Sequence, residues 1–410
     1  MEYQKFHLDN GLTVLYHQDT TTPMAVVNVL YNVGARDENP AQTGFAHLFE
    51  HLMFGGSINI PDYDGPLQRA GGENNAYTTN DITNYYCQLP AKNIETAFWL
   101  ESDRMLSLAF SQKSLDTQKK VVCEEFKEHY INKPYGDAWQ ALRQLAYTTH
   151  PYQWMTIGKE LSHIENAHLE DVKAFFNKHY CPSNAIIVIA GNIALETVKR
   201  LSEKWFSPIP SGKKYERNLP AEPKQLMARR KEITANVPLN ALYKAWHMDA
   251  RLEEGYYAAD LITELLGGGG ASRLYQNLIK EQRIFSNLDC YHFGSVEKGL
   301  LAIEGKLVQG VTLEQAEAAL QQQIDSLTSN EVSTTELQKV INRTESIMTF
   351  EDISLLSRAS SLAFAELLGN PNLMNTEIEL YRKITKEDIL KYSKRIFAEQ
   401  NSNTLLYHTQ

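Results

Sequence analysis

The sequence predicts an α+β chain built as two similar domains, and three observations carry that prediction. Segments of apolar alternation are interleaved with segments of helical period. At 410 residues with 43% hydrophobic content, the chain exceeds what one ordinary core organises. A stretch beginning near position 258 repeats the pattern of one near position 45. The domains are expected at residues 1–210 and 232–410, joined by a linker over 211–231. The linker lies in PIPSGKKYERNLPAEPKQLMARRK, Pro208 to Lys231, which is rich in proline and charge and has no periodicity.

Taken in order, Asn10-Gly11 is a hairpin signal between two alternating runs. Met24 to Asn32, MAVVNVLYN, reads as a buried strand. In GFAHLFEHLMFGG, Gly44 to Gly56, the apolar run of Phe45, Leu48, Phe49, Leu52, Met53 and Phe54 is long enough for a buried helix. Gly71-Gly72 marks a turn, and alternation through Tyr77, Thr79, Ile82, Tyr85 and Tyr86 reads as strands. Helical patterns cover Lys92 to Leu108, Ser114 to Tyr130 and Ala167 to Tyr180, and Ala185 to Gly191 is a buried strand. In the second half AADLITELLGGGG, Ala258 to Gly270, echoes FAHLFEHLMFGG and sets Asp260 opposite His47, Thr263 opposite Glu50 and Glu264 opposite His51. SNTLLY at Ser402 to Tyr407 likewise echoes SNAIIV at Ser183 to Val188. Two copies of one fold follow, the second without metal-binding residues. The glycines Gly267 to Gly270 lack the lysine and hydroxyl of a phosphate-binding loop and read as a helix end or loop.

The chemistry concentrates in the first copy. His47 and His51 are one helical turn apart, so two imidazoles converge on one metal ion. Neutral imidazole is a good zinc ligand, and a hydrolytic zinc site keeps one position for water. Glu50 falls beside the pair, where a carboxylate that is not a ligand takes the proton of that water. A third ligand must come from elsewhere. The helix SLDTQKKVVCEEFKEHY carries Glu124, Glu125 and Glu128, and spacing alone does not choose between Glu124 and Glu125. His129, one turn after Glu125, reads as a surface residue, and His150-Pro151 has no assignable chemistry.

A net charge of −10 and a pI near 5.7 argue against nucleic acid or an anionic membrane as the main partner. Cys87, Cys123, Cys181 and Cys290 show no paired or metal-binding spacing and read as reduced thiols. MEYQKFHLDNGL has no signal-peptide pattern and no segment is apolar for long enough to cross a bilayer, so the expected compartment is cytoplasmic.

The order His-x-x-Glu-His resembles the inverted-motif zinc peptidases that include pitrilysin, insulin-degrading enzyme and mitochondrial processing peptidase. Further stretches that match are NGLTVLYH (Asn10 to His17), YNVGARDE (Tyr31 to Glu38), GGENNAYTTNDITNY (Gly71 to Tyr85), the Val-Val-x-x-Glu run ending at Glu125, and YCPSNAIIVIAGN (Tyr180 to Asn192). The likeness spans nearly the whole chain and is strongest in its first half. It implies two homologous domains, each an antiparallel sheet covered by helices, forming half of a clamshell. It also implies one Zn2+ per chain on His47, His51 and Glu125, with Glu50 as general base. Asn75 and Ala76 match the positions that contact a peptide lying along an edge strand.

The chain departs from the family in two places. Gln118 stands two turns before Glu125, where the family carries a glutamate that supports the metal, so zinc affinity or rate is expected to be tuned. The arginine and tyrosine that elsewhere in the family bind substrate and steady the reacting carbonyl fall on Ile279 and Ser286, aligned on LIKEQRIFSN. The resemblance therefore implies a zinc metalloendopeptidase that cuts unfolded peptides internally. Its partner is expected to be a homologous subunit without the zinc motif, forming a heterodimer that restores the arginine and tyrosine. The alternatives are a self-sufficient homodimeric processing peptidase and a non-catalytic structural or binding subunit of the same fold.

Overall fold

A computed structural model describes residues 1–410, and the chain forms two compact units. The first comprises Met1–Phe126, Trp154–Leu219 and Thr349–Asn375; the second comprises Lys127–Gln153, Pro220–Met348 and Thr376–Gln410. Each has one sheet with helices against it, an α+β arrangement.

In the first unit the strands are β1 (Gln4–His7), β2 (Thr13–Gln18), β3 (Met24–Tyr31), β4 (Glu73–Thr78), β5 (Thr83–Pro90) and β6 (Ala185–Gly191), in the order β1-β2-β6-β3-β5-β4. β3 lies inside the sheet and is buried almost throughout, as its continuous apolar run predicts. β4 is an edge, and its exposure alternates residue by residue. The Asn10-Gly11 turn joins β1 to β2 as expected, with Gly11 at φ 88°, where a side chain would be strained. In the second unit β7 (Arg229–Ala235), β8 (Ala241–His247), β9 (Phe285–Phe293), β10 (Leu300–Leu307) and β11 (Ser402–Thr409) take the order β7-β11-β8-β10-β9. This is the path of the first sheet without β1. Each sheet is antiparallel except for one pair, β2 with β6 and β7 with β11. The exception arises because the last strand of each copy returns from a long helical crossover and inserts between the first two major strands, pairing parallel with one and antiparallel with the other.

The helices that matter here are α1 (Phe45–Leu52), α2 (Gln112–Phe126), α3 (Ala138–Ala146), α4 (Leu169–His179), α5 (Tyr256–Gly267) and α6 (Leu355–Leu367). The composition predicts one boundary at 211–231, whereas the compact units exchange segments across it. Helix α6, from late in the chain, lies in the first unit, where Ala359, Leu362 and Ala363 pack with Val26, Leu30, Val188 and Ala190. Arg358 fixes it, donating to Asp19 Oδ2 at 2.5 Å and bonding His17 Nε2 at 3.0 Å. Conversely α3, from the first half, lies in the second unit, where Ala138, Ala141 and Leu142 pack with Ala241, Tyr243, Leu405 and Tyr407. Each sheet thus covers apolar area with a helix encoded in the other half of the sequence, which no periodicity rule assigns to a sheet.

The stretch between Ile209 and Ala228 has no regular secondary structure, as its composition predicts, but it is anchored. Arg217 grips Asp37 with two bonds of 2.7 and 3.0 Å in the first unit. Glu222 accepts the backbone N–H groups of Thr148, Thr149 and His150 in the second. None of the four cysteines is in a disulfide, and all four are buried. No helix is long and apolar enough to cross a membrane.

Candidate metal centre

Helix α1 is short and is held at its start and along one side. Gly44 begins it at φ 87°, and Glu38, from the loop after β3, accepts the N–H groups of Gly44 and Ala46 at 2.9 and 2.8 Å. A carboxyl group whose oxygens accept the free amides of a helix start satisfies donors that the helix itself leaves open. Phe45, Ala46, Leu48, Phe49 and Leu52 are buried, and Phe49 stacks on Phe176 in α4 and on Tyr180 just after it. With that face locked into the core, His47, Glu50 and His51 are left on the remaining one.

The two imidazoles stand edge to face, 4.8 Å between ring centres. Glu125, near the end of α2, points one carboxylate oxygen at both: Oε2 is 3.8 Å from His47 Nε2 and 3.4 Å from His51 Nε2. The ligand atoms of His47, His51 and Glu125 all lie within 4.8 Å of one another, and these three form the only such group of histidine, cysteine and acidic side chains. The structure brings Glu125, and not Glu124, to the two imidazoles, where spacing left both open. Glu124 is on the exposed side of α2.

The donor set fits zinc. Two nitrogens and one oxygen make the usual number of protein ligands for a catalytic zinc site, and Glu125 Oε2 lies 3.4 and 3.8 Å from the two imidazole nitrogens within a trio whose ligand atoms span no more than 4.8 Å. Burial, helped by the neighbouring His51, pushes the His47 imidazole down to about 4, so it is neutral as a metal ligand must be. Its buried Nδ1 has no hydrogen-bond partner, so no protein acceptor fixes its tautomer.

Glu50 stays outside that trio. Its Oε2 accepts the hydroxyl of Thr78, on β4, at 2.6 Å. Burial raises its carboxyl above the ordinary value, and the Thr78 hydroxyl opposes that rise. Thr78 lies within the matched stretch GGENNAYTTNDITNY, yet nothing in the sequence distinguished it from Thr79 beside it. Further back, Arg104 is buried against Glu101, with its guanidinium 4.4 Å from the Tyr63 ring centre and 4.5 Å from that of Tyr85. In the sequence this group carries one signal, the Glu101–Arg104 spacing of three.

Residues 13–158 match insulinase (peptidase family M16), and residues 166–344 match the peptidase M16 inactive domain. The chain belongs to peptidase family M16. Among relatives of this M16 chain, the zinc protease PqqE of Helicobacter pylori is 28% identical over 98% of this chain and 92% of its own length. The β subunit of the mitochondrial-processing peptidase of Saccharomyces cerevisiae is 26% identical over 50% of this chain and 44% of its own. A crystal structure of a protease from Helicobacter pylori superimposes with a TM-score of 0.93 at 25% identity, covering 99% of both chains.

The remaining expected positions are all placed. Asn75 and Ala76 lie on the edge strand β4, and the Ala76 N–H is taken by Asn75 Oδ1 at 2.8 Å. Gln118 is half-buried on α2, seven residues before Glu125 and so on the same face. His129 is exposed, as the sequence suggested. Ile279 packs against the core of the second unit, and the Ser286 hydroxyl is bonded to the Lys306 carbonyl at 3.0 Å. Those two side chains serve the second unit's own packing.

Proposed function

We propose that the chain is a zinc-dependent endopeptidase acting on extended, unfolded peptides. The observation that carries the reading is the convergence of His47, His51 and Glu125 with Glu50 left beside them and outside the ligand set. Bound there, zinc would lower the pKa of a water molecule and polarise the scissile carbonyl. Glu50 is the group that takes the water's proton on its carboxylate and returns it to the leaving amine nitrogen. The edge of β4 offers backbone donors and acceptors to a peptide strand, with Asn75 and Ala76 in contact with it. The Asn75 amide must release the Ala76 N–H for that strand to pair.

A partner follows from what the second unit lacks. Ile279 and Ser286 cannot supply the arginine and tyrosine found elsewhere in the family, and one missing oxyanion donor costs roughly 3 kcal/mol. We place the chain in a heterodimer with a homologous subunit that lacks the zinc motif. A homodimer that cuts peptide unaided is the second reading, favoured by the intact set around Glu50.

The test is cleavage of a mixed peptide library by the zinc-loaded chain beside Glu50→Gln. Cutting by the chain alone that the variant lacks establishes the peptidase and removes the need for a partner. Zinc bound without cutting directs the search to the missing subunit. A chain that binds no zinc supports a structural or binding role.

A further inference from the structure

We propose that Thr78 is a positioning residue: its hydroxyl holds the Glu50 carboxylate in place from the edge strand that receives the peptide. The inference rests on the peptidase reading of Glu50 and assigns that site its missing support.

The geometry supports it from three sides. The Thr78 hydroxyl donates to Glu50 Oε2 at 2.6 Å, a charge-assisted bond of the stronger kind. Thr78 itself is fixed, because it pairs with Thr83 on β5, and Thr83 is fully buried with its hydroxyl bonded to the Val33 carbonyl at 3.0 Å. The adjacent Thr79 has a different task, since its hydroxyl accepts the N–H groups of Asp81 and Ile82 at 3.1 Å and closes the β4–β5 turn. Two neighbouring threonines thus divide the work: Thr79 makes the turn, and Thr78 reaches across to α1.

The second unit shows what this bond is as a structural device. There His292, on the edge strand β9, bonds Asp260 on α5 at 2.8 Å. Each copy ties its helix to its edge strand through one polar contact. In the first copy that contact ends on the carboxylate beside the metal-ligand trio, so the tie also sets where Glu50 can reach. A glutamate left free on a helix surface samples several rotamers, and displacement of a reacting group by an ångström costs up to a hundredfold in rate. With Oε2 held, one oxygen of the carboxylate is placed relative to the strand on which the peptide lies.

The experiment compares Thr78→Val, which keeps the shape and removes the hydroxyl, with Thr78→Ser, which keeps the hydroxyl. Both are assayed in the zinc-loaded form, alone or with its partner subunit, in which the wild type cuts peptide. Thr78→Val should lower kcat by about 10- to 100-fold while KM stays within about twofold and zinc content is unchanged, and Thr78→Ser should return kcat to within about threefold of wild type. A readout independent of turnover is the urea midpoint of the zinc-free protein, where Thr78→Val should shift the wild type and leave a Glu50→Ala background unmoved. An unchanged kcat in Thr78→Val, a loss carried by KM, loss of zinc, failure of Thr78→Ser to rescue, or additive midpoints would each overturn the proposal. A wild type that binds zinc and cuts nothing in either form would instead overturn the peptidase reading, and the Thr78 role with it.

Discussion

Helices α1 and α5 follow the corresponding strands of two sheets with the same strand path, β3 in one and β8 in the other. Both bury an apolar face and turn polar residues at matching positions toward an edge strand. In α1 the polar groups are two imidazoles and a glutamate, and the Glu125 carboxylate lies within 4 Å of both imidazoles. In α5 each acid already has partners within the second unit: Asp260 accepts His292 and the Tyr381 hydroxyl, and Glu264 pairs with Arg343 at 2.7 Å. The difference is one of compensation. A metal site requires ligands whose charge and lone pairs the protein leaves unmatched, and the second copy has matched its own.

The largest expected effect breaks the comparison at its chemical end. Glu50→Gln should lower peptide cleavage by about 10²- to 10⁴-fold with zinc retained, measured by initial rates beside metal analysis. The corresponding change in the second copy, Thr263→Val, removes a hydroxyl that bonds only the Asp260 carbonyl one turn back and should leave turnover within about twofold. Equal losses in the two variants would show that α5 contributes to catalysis and that the contrast drawn here is wrong.

The next effect lies on the other side. Asp260→Ala leaves His292 and Tyr381 without their shared acceptor in a mostly buried place and should cost about 2 kcal/mol, read as a lower urea midpoint. Zinc binding should not change. A midpoint equal to wild type would mean that the second copy's compensation is not stabilising. A smaller change is expected at Gln118, where the first copy departs from its family. Gln118→Glu restores a charge on the α2 face that carries Glu125 and should strengthen zinc binding by about tenfold in a chelator competition. An unaltered affinity would confine the support of the centre to Glu38, Thr78 and the packing of Phe49.

Much of this contrast was legible in the sequence. His47 and His51 at one-turn spacing inside an apolar run leave a single face for the metal, and the echo in α5 replaces both. The hairpin at Asn10-Gly11 and strands such as Ala185–Gly191 followed from local rules of turn and period. What was not legible depends on tertiary placement. Spacing by itself does not choose Glu125 over Glu124: the choice turns on how α2 is rotated against α1, and only the Val-Val-x-x-Glu resemblance supplied it. Thr78 differs from Thr79 only in which way its side chain points. The exchanged helices were invisible for the same reason: Ala359, Leu362 and Ala363 announce an apolar face but do not name the sheet that will cover it.

That exchange yields the smallest effect, which separates the two sheets by pH. The first sheet holds α6 partly through charge: the Thr21 hydroxyl first, then the Arg358 guanidinium, keep the Asp19 carboxyl down at about 2. An unfolded aspartate titrates near 3.9, so this contribution is complete above about pH 4 and is lost as pH falls toward 2. His17, which also contacts Arg358, is lowered chiefly by burial, so it begins to withdraw stability earlier, as pH falls below its unfolded value of about 6.5. The second sheet holds α3 through alanine, leucine and tyrosine contacts, and the Trp139 indole donates to Glu304 at 2.8 Å. The stability gap between wild type and Asp19→Asn should therefore be about 1 kcal/mol and constant above pH 5, and should close between pH 4 and 2. Urea midpoints at half-unit pH steps read that window directly. A gap that persists at pH 2 would mean that Asp19 acts on α6 through packing, and the two sheets would then hold their exchanged helices in the same way.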